Sequence, residues 1–332
     1  MKKQPMARLV WVIGAGLACA TPAGAIDLTF LGWADQHIGN GGESDHLTDF
    51  VTALNTIEGT PLPAGLGGVV QTPSFIVNAG DQTDWPTWAA KEEYNSIITE
   101  DLNYPTYDVL GNHDQGGFAR VPTMINWFIG RYTPPGAVTL PASDTYNPLD
   151  HGELSYSFQY DGVHFSMLNS HFDDSWPPDG VPDADGEAHS QPITQQAIDW
   201  LTNDLASVDP LMPVVVATHM NHDSITNKDE FVTALEGKNV VLIIGGHYEE
   251  PRLQHYGGYN WVQLGSPRNE DVRTINAFRI TDDMVSSVVW DIPNGVWLEQ
   301  YTVHESIVTP EPGALGMLVA GTLELLRRRA RR

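Results

Sequence analysis

Cysteine is almost missing from this chain of 332 residues: there is one, Cys19. Basic residues are scarce too, 17 against 42 acidic ones, for a formal charge of -25. Residues 1–25 and 310–332 hold eight of the basic and two of the acidic residues, so the body between them carries nine against forty. A polyanion is bound through clustered Lys and Arg, and this composition excludes a nucleic-acid polymer as a bulk partner. It favours solubility and the attraction of cations. Neither apolar stretch at the two ends is long enough for an ordinary membrane span. What is present is a globular composition, 41% hydrophobic and 9% aromatic, in a chain long enough to bury a large core. No internal repeat or interdomain linker divides it.

The ends have their own logic. Lys2, Lys3 and Arg8 precede an apolar run from Leu9 to Cys19, and Ala23-Gly24-Ala25 offers small residues for cleavage. This predicts a secretory leader over residues 1–25. Gly16, three places before Cys19, makes the context a poor lipoprotein box. A processed chain would then carry no cysteine, which excludes disulfides in an oxidising compartment. At the other end, Pro310-Glu311-Pro312 is followed by a mostly apolar stretch, Gly313 to Leu326, and by Arg327 to Arg332. This arrangement over residues 306–332 resembles the PEP-CTERM sorting signal of exported bacterial proteins. The resemblance implies processing by sorting machinery at the membrane. The expected location is the periplasm, the cell surface or the medium.

Between the ends, apolar segments end repeatedly in polar loops. Asp27 to Ala34 reads as a buried strand running into Asp35-Gln36-His37. Ser74 to Val77 leads into Asn78-Ala79-Gly80-Asp81. Tyr107 to Leu110 leads into Gly111-Asn112-His113-Asp114. Pro213 to Ala217 delivers His219, and Val240 to Ile244 delivers Gly246-His247. Helical spacing covers His46 to Leu54, Thr87 to Leu102 and Thr194 to Ala206. Leu154 to Phe158 and Val163 to Leu168 flank Asp161-Gly162 and read as a hairpin. Trp261 to Leu264, Ala277 to Ile280 and Val285 to Trp290 read as further strands. Residues 134–150 and 173–185 read as loops. The alternation implies an α/β fold with its ligands at the carboxyl ends of strands.

One histidine after a strand is usually a packed residue. Five strand ends carrying Asp35 and His37, Asp81, Asn112 and His113, His219, and His247 make a donor set of mixed oxygen and nitrogen. Such a set suits Mn, Fe or Zn and excludes a thiolate site.

These segments, in this order, resemble the calcineurin-like metallophosphoesterase family: Asp35-Gln36-His37, Gly80-Asp81-Gln82-Thr83-Asp84, Gly111-Asn112-His113-Asp114, His219, and Gly246-His247-Tyr248-Glu249. The resemblance spans about residues 27–290, within a domain expected over 26–305. It implies two packed mixed β-sheets flanked by helices in four layers, and two divalent metal ions. Asp35 and His37 would hold the first metal, Asp81 would bridge, and Asn112, His219 and His247 would hold the second. His113 would donate a proton to the leaving oxygen, supported by Asp114, and Asp84 would have a structural part. Glu249 stands where the family has a final His, so it is a candidate ligand of the first metal. His171 and His222 could reach the pocket but read as ordinary loop residues. The implied reaction is hydrolysis of a small-molecule phosphoester by in-line attack of water. A cyclic-nucleotide phosphodiesterase or nucleotidase, and a non-catalytic surface module that keeps the fold, stay open beside it.

Overall fold

The computed structural model describes residues 25–39, 44–115, 122–133, 145–150, 154–169, 193–268 and 272–307. Both terminal segments, the loop expected at 173–185 and His171 lie outside them.

The first sheet is built around β1 (Asp27–Trp33), β2 (Ile76–Asn78) and β3 (Thr106–Asp108), which run parallel. β11 (Thr274–Thr281) pairs antiparallel with β1, and β12 (Met284–Asp291), β13 (Val296–Trp297) and β14 (Val303–Ser306) complete that flank. The second sheet has the order β4 (Thr145–Asp150), β5 (Ser155–Tyr160), β6 (Val163–Leu168), β7 (Val214–Thr218), β8 (Val240–Gly245), β10 (Tyr259–Gln263), β9 (Arg252–Tyr256). There β6, β7, β8 and β10 are parallel and the edges antiparallel. β7 is buried at every position, which is why Val214-Val215-Val216-Ala217 shows no polar alternation.

The faces of the two sheets meet over an aromatic core. Phe30 stacks on Phe278 in its own sheet at 4.7 Å and meets Phe165 of the other sheet edge-on at 5.3 Å. Each outer face carries helices. α1 (Ser44–Thr56) and α2 (Trp88–Ser96) lie on the first sheet, where Phe50 and Tyr94 pack with Trp33. α4 (Gln195–Ala206) and α5 (Lys228–Leu235) cover the second through Leu201 and Phe231. α3 (Pro122–Tyr132) contributes Phe128 to the inter-sheet core and Met124 to the first outer layer. The architecture is the expected α/β sandwich of two mixed sheets flanked by helices.

Two local readings change. Residues 145–150, expected as loop, form the edge strand β4; Pro148 lacks an N–H, and the strand accommodates it at an edge where the pairing slips between Asn147 and Asp150. The helix expected from Thr87 to Leu102 is α2, capped by the Thr87 hydroxyl accepting from Ala90 N at 3.1 Å, followed by a π-helical turn over Ile97–Asp101.

Candidate active site

The carboxyl ends of β1, β2 and β3 and of β7 and β8 open toward one place, and backbone bonds lace the loops together. Asp35 N donates to Gly80 O at 2.9 Å, His37 N to Asp81 O at 3.0 Å, and Gly246 N to His219 O at 2.9 Å. The lacing crosses between the sheets. His219 Nδ1 donates to Ala79 O at 2.8 Å, and Ser266 Oγ donates to Asp35 O at 2.5 Å. The backbone bends hard to do this. Asp35, His37, Asp81, His247 and Glu249 all have positive φ, between 46° and 81°, and they are five of the seven non-glycine residues so placed among the described residues. Each such conformation costs about 1–3 kcal/mol and persists only where its surroundings enforce it. Gly111 allows the closest approach: a Cβ there would lie 2.0 Å from Asp81 Oδ1.

Two donor groups result. One nitrogen or oxygen from each of His37, Asp81 and His113 lies within 4.8 Å of the others, and the same holds for Asp81, His219 and His247. Asp81 belongs to both. Its Oδ2 is 3.8 Å from His37 Nε2 and 3.2 Å from His219 Nε2, while its Oδ1 accepts from His113 N at 2.9 Å. Asn112 Oδ1 joins the second group, 3.0 Å from His219 Nε2. The Ala79 carbonyl accepts from His219 Nδ1 and so fixes the ring, aiming Nε2 at Asp81 and Asn112. Imidazole nitrogens, carboxylate oxygens and an amide oxygen at these spacings fit two divalent cations sharing one carboxylate.

The remaining expected residues sit around this pair of groups. Asp35 is fully buried, and its Oδ1 and Oδ2 accept from His247 N at 2.9 and 3.1 Å. Glu249 Oε1 lies 3.4 Å from His37 Nε2 and 3.2 Å from Arg268 Nη1. Asp114 does something other than support the His113 ring. Its Oδ2 accepts from Gly111 N (2.9 Å) and Gln82 N (3.1 Å), and its Oδ1 from Thr83 N (2.8 Å) and Thr83 Oγ1 (3.0 Å). It clamps the Asp81 and His113 loops together. His113 Nδ1 meets the carbonyl of Asp84 at 2.9 Å and its carboxylate Oδ1 at 3.9 Å. His222 pairs with Asp223 at 3.0 Å and packs its ring near Tyr256 and Trp261.

Without cations the charges here are in tension. Burial pushes Asp35 up to about 7, helped by Asp81 and Glu249 and opposed by His219 and His37. Burial also raises Asp81, but the positive charges of His219, His113 and His37 win, and it sits well below the carboxylate range. For His37 burial favours the neutral ring, yet Asp84, Asp81, Asp35 and Glu249 lift it to about 9. His219 behaves alike: burial is outweighed by Asp81 and Asp35, and it reaches about 9. Protons thus occupy the places that the donor geometry offers to cations.

Sequence reasoning missed the supports. Asn78, at the end of β2, accepts from Gly80 N at Oδ1 (3.1 Å) and donates from Nδ2 to Tyr94 Oη (2.6 Å), and Tyr94 donates to Asp108. This chain anchors the Asp81 loop to α2 and β3. The Asn78-Ala79-Gly80 turn was the available signal. Arg268 and the Asp84 carbonyl gave none, since the fold brings the first to Glu249 from nineteen residues away and the second is a main-chain atom that any residue carries.

The family model for calcineurin-like phosphoesterases matches residues 28–249. No curated protein matches the sequence. Among solved structures, a dimetal phosphatase from Danio rerio superposes with a TM-score of 0.59 at 14% identity, covering 85% of this chain and 99% of that one. GAP50, the anchor in the inner membrane complex of Plasmodium, gives 0.56 at 12% identity over 86% and 90%. The purple acid phosphatase PPD1 from yellow lupin (Lupinus luteus) seeds gives 0.54 at 12% identity over 86% of this chain and 55% of that chain. At such identities these structures share the fold alone, and it is the family match, over two thirds of the chain, by which this protein belongs to the calcineurin-like phosphoesterases, enzymes that hydrolyse phosphoric esters.

Proposed function

We propose that the protein is an exported phosphoesterase with a two-metal centre, acting on small phosphoesters by in-line attack of water. The observation that carries this is Asp81, one carboxylate common to two donor groups. His37, Asp35 and Glu249 would complete the first site, and Asn112, His219 and His247 the second, with Mn, Fe or Zn as the cations the donors suit. Two cations held there supply positive charge to the phosphoryl oxygens and acidify a water. The chain itself does the rest. Asp81 and the clamped Asp114 fix the spacing of the two halves. His113 holds a proton for the leaving oxygen. A carbonyl only accepts, so the contact with Asp84 O places a proton on Nδ1 and makes Nε2 the atom that transfers one.

The fold does not decide catalysis, since GAP50 shares it and is described as an anchor. A carboxylate common to both donor groups favours the enzyme over a non-catalytic module. Metal analysis of the purified protein with a panel of phosphoesters tests the reading. Two equivalents of metal and turnover are expected, and loading should tighten as pH rises toward 9, because His37 and His219 must release protons. One equivalent or none, without turnover, sinks it. Export is tested by the N-terminus of the protein recovered from cells, expected at residue 26; an intact Met1 in the cytoplasm overturns it.

A further inference from the structure

Arg268 closes a ring of charges at the mouth of the centre. Its Nη1 lies 3.2 Å from Glu249 Oε1 and 3.8 Å from Asp84 Oδ1. Those two carboxylates in turn meet opposite nitrogens of His37, Asp84 Oδ1 at Nδ1 and Glu249 Oε1 at Nε2, each at 3.4 Å. The backbone is fixed as firmly as the side chain. Arg268 N donates to Ser266 Oγ at 2.9 Å, and Ser266 Oγ donates to Asp35 O at 2.5 Å. So the backbone of Arg268 is tied to Asp35 and its guanidinium, through two carboxylates, to His37, while its side chain remains 37% exposed. Among the described residues the other ion-paired cations sit on acids outside the centre: Lys91 on Glu92, Arg131 on Asp108, Arg252 on Glu250, Arg273 on Asp49 and Arg279 on Asp27.

Charge gives this placement a purpose. Five carboxylates crowd the centre: Asp35, Asp81, Asp84, Asp114 and Glu249. These five acidic side chains surround the place an anionic substrate must enter, and among the described residues Arg268 is the guanidinium that faces it. Arg268 adds a permanent positive charge that cannot be lost by deprotonation. Oxygen count then selects the substrate. A phosphomonoester has three terminal oxygens and is mostly dianionic at neutral pH, whereas a diester has two and is monoanionic. Two cations held by the donor groups would supply charge to terminal oxygens on their own side. A monoester alone has a third to offer a guanidinium.

We propose that Arg268 grips the third terminal oxygen of a phosphomonoester and so makes this centre a monoesterase. The proposal rests on the phosphoesterase reading above and names its substrate class. A planar fork held in advance by Glu249 and Asp84, on a backbone fixed by Ser266, binds an oxyanion without first being ordered.

The test uses the full-length metal-loaded protein with Arg268→Gln and Arg268→Lys. Turnover of 4-nitrophenyl phosphate and bis(4-nitrophenyl) phosphate is compared, and binding of inorganic phosphate and dimethyl phosphate is measured by calorimetry. Arg268→Gln should lower kcat/KM for the monoester and the affinity for inorganic phosphate by roughly 10- to 100-fold. The diester values should change by less than about three-fold, with bound metal unchanged, and Arg268→Lys should recover part of the monoester loss. Equal losses on both esters, or losses that follow metal content, would show that Arg268 only props Glu249 and would overturn the proposal. If the wild type hydrolyses neither ester, the phosphoesterase reading fails by itself. Phosphate binding then still decides on Arg268: unequal weakening of inorganic and dimethyl phosphate supports it, and no weakening sinks it.

Discussion

Asp204 on α4 and Asp81 beyond β2 are both buried aspartates beside histidines, and both sit below the ordinary carboxylate range. They reach it by different means. Asp204 accepts from three side chains of the sheet it packs on: Ser157 Oγ at 2.5 Å, Ser166 Oγ at 2.7 Å and His164 Nε2 at 2.9 Å. Burial raises it, and those hydrogen bonds with the His164 charge more than compensate. It stands on a regular helix and strains nothing. Asp81 faces histidines from two other loops at 3.2 and 3.8 Å, on a backbone with φ of 54°. Its neighbour Asp35 is pushed the other way, to about 7. A carboxylate satisfied by protein donors stabilises a fold. One that shares its oxygens with several loosely spaced donors is poised for something the chain does not itself provide.

Breaking that contrast has its largest effect at Asp81. Asp81→Asn removes the shared ligand, so activity should fall by at least roughly a thousand-fold and bound metal should drop toward one equivalent or none. The metal-free protein should lose stability as well near neutral pH, because the depressed pKa of Asp81 marks a carboxylate stabilised by His219, His113 and His37. Normal metal content with normal turnover would show that Asp81 bridges nothing.

His113 separates holding from reacting. His113→Ala should lower kcat by roughly a hundred-fold or more while metal content stays at the wild-type value. Loss of metal in step with activity would make His113 a ligand, as its place beside His37 and Asp81 allows, and would move the proton donor elsewhere.

At Asp204 the consequence is stability without chemistry. Asp204→Asn leaves His164 and two serines facing a group that donates as well as accepts. The cost should be roughly 3 kcal/mol, or about 5–10 °C in Tm, with kcat per folded molecule unchanged. The pH dependence sharpens the comparison. Asp204 has a depressed folded pKa, so its contribution is present above about 4, the unfolded value, and is lost as pH falls through the folded one. The metal-free centre works in the opposite direction. The raised Asp35 contributes below its unfolded value and loses this as pH rises through about 7, and His37 and His219 lose theirs as pH rises through about 9. Chelated protein should therefore become less stable from pH 6 to 9, and reloading with metal should abolish the trend. A flat alkaline limb after chelation would contradict these assignments.

Much of the centre was legible because its elements are simple. Asp27 to Trp33 and Val214 to Thr218 are apolar on both faces, and each stops where a polar loop begins, so strand and ligand can be read together. Gly111 marks a turn that only a residue without a Cβ can make beside Asp81. The supports were not legible. Asp204 reads as one of several polar residues on an amphipathic helix, and nothing in its spacing says that it faces Ser157 and His164. Arg252–Tyr256 is too polar to read as a strand, and it pairs only along the sheet edge. The part assigned to Asp114 went to a neighbour for a related reason. The tetrapeptide Gly111-Asn112-His113-Asp114 puts the carboxylate next to the imidazole in sequence. The turn points it instead at Gly111 N, Gln82 N and Thr83, and the Asp84 carbonyl takes its place.

Glu249 should give the smallest effect and the finest discrimination, because it lies between the two kinds of carboxylate. Its Oε1 is shared by His37 Nε2 at 3.4 Å and Arg268 Nη1 at 3.2 Å. The first spacing suits two ligands of one cation; the second is an ordinary ion pair. A φ of 59° places it with the strained residues of the centre. If it is a weak ligand, Glu249→Gln should reduce the affinity of the first metal by about ten-fold and leave kcat at saturating metal within about three-fold. Glu249→His supplies a neutral nitrogen in place of a charged oxygen. That should tighten the first metal, favour Zn over Mn or Mg, and move the pH optimum downward, since less ligand charge offsets the cation's field on its water. Metal titrations at two pH values, paired with pH–rate profiles of both variants, read all three. If neither substitution moves stoichiometry, affinity or the optimum, Glu249 belongs with Asp204: a carboxylate already satisfied, whose partner is Arg268 and not a metal.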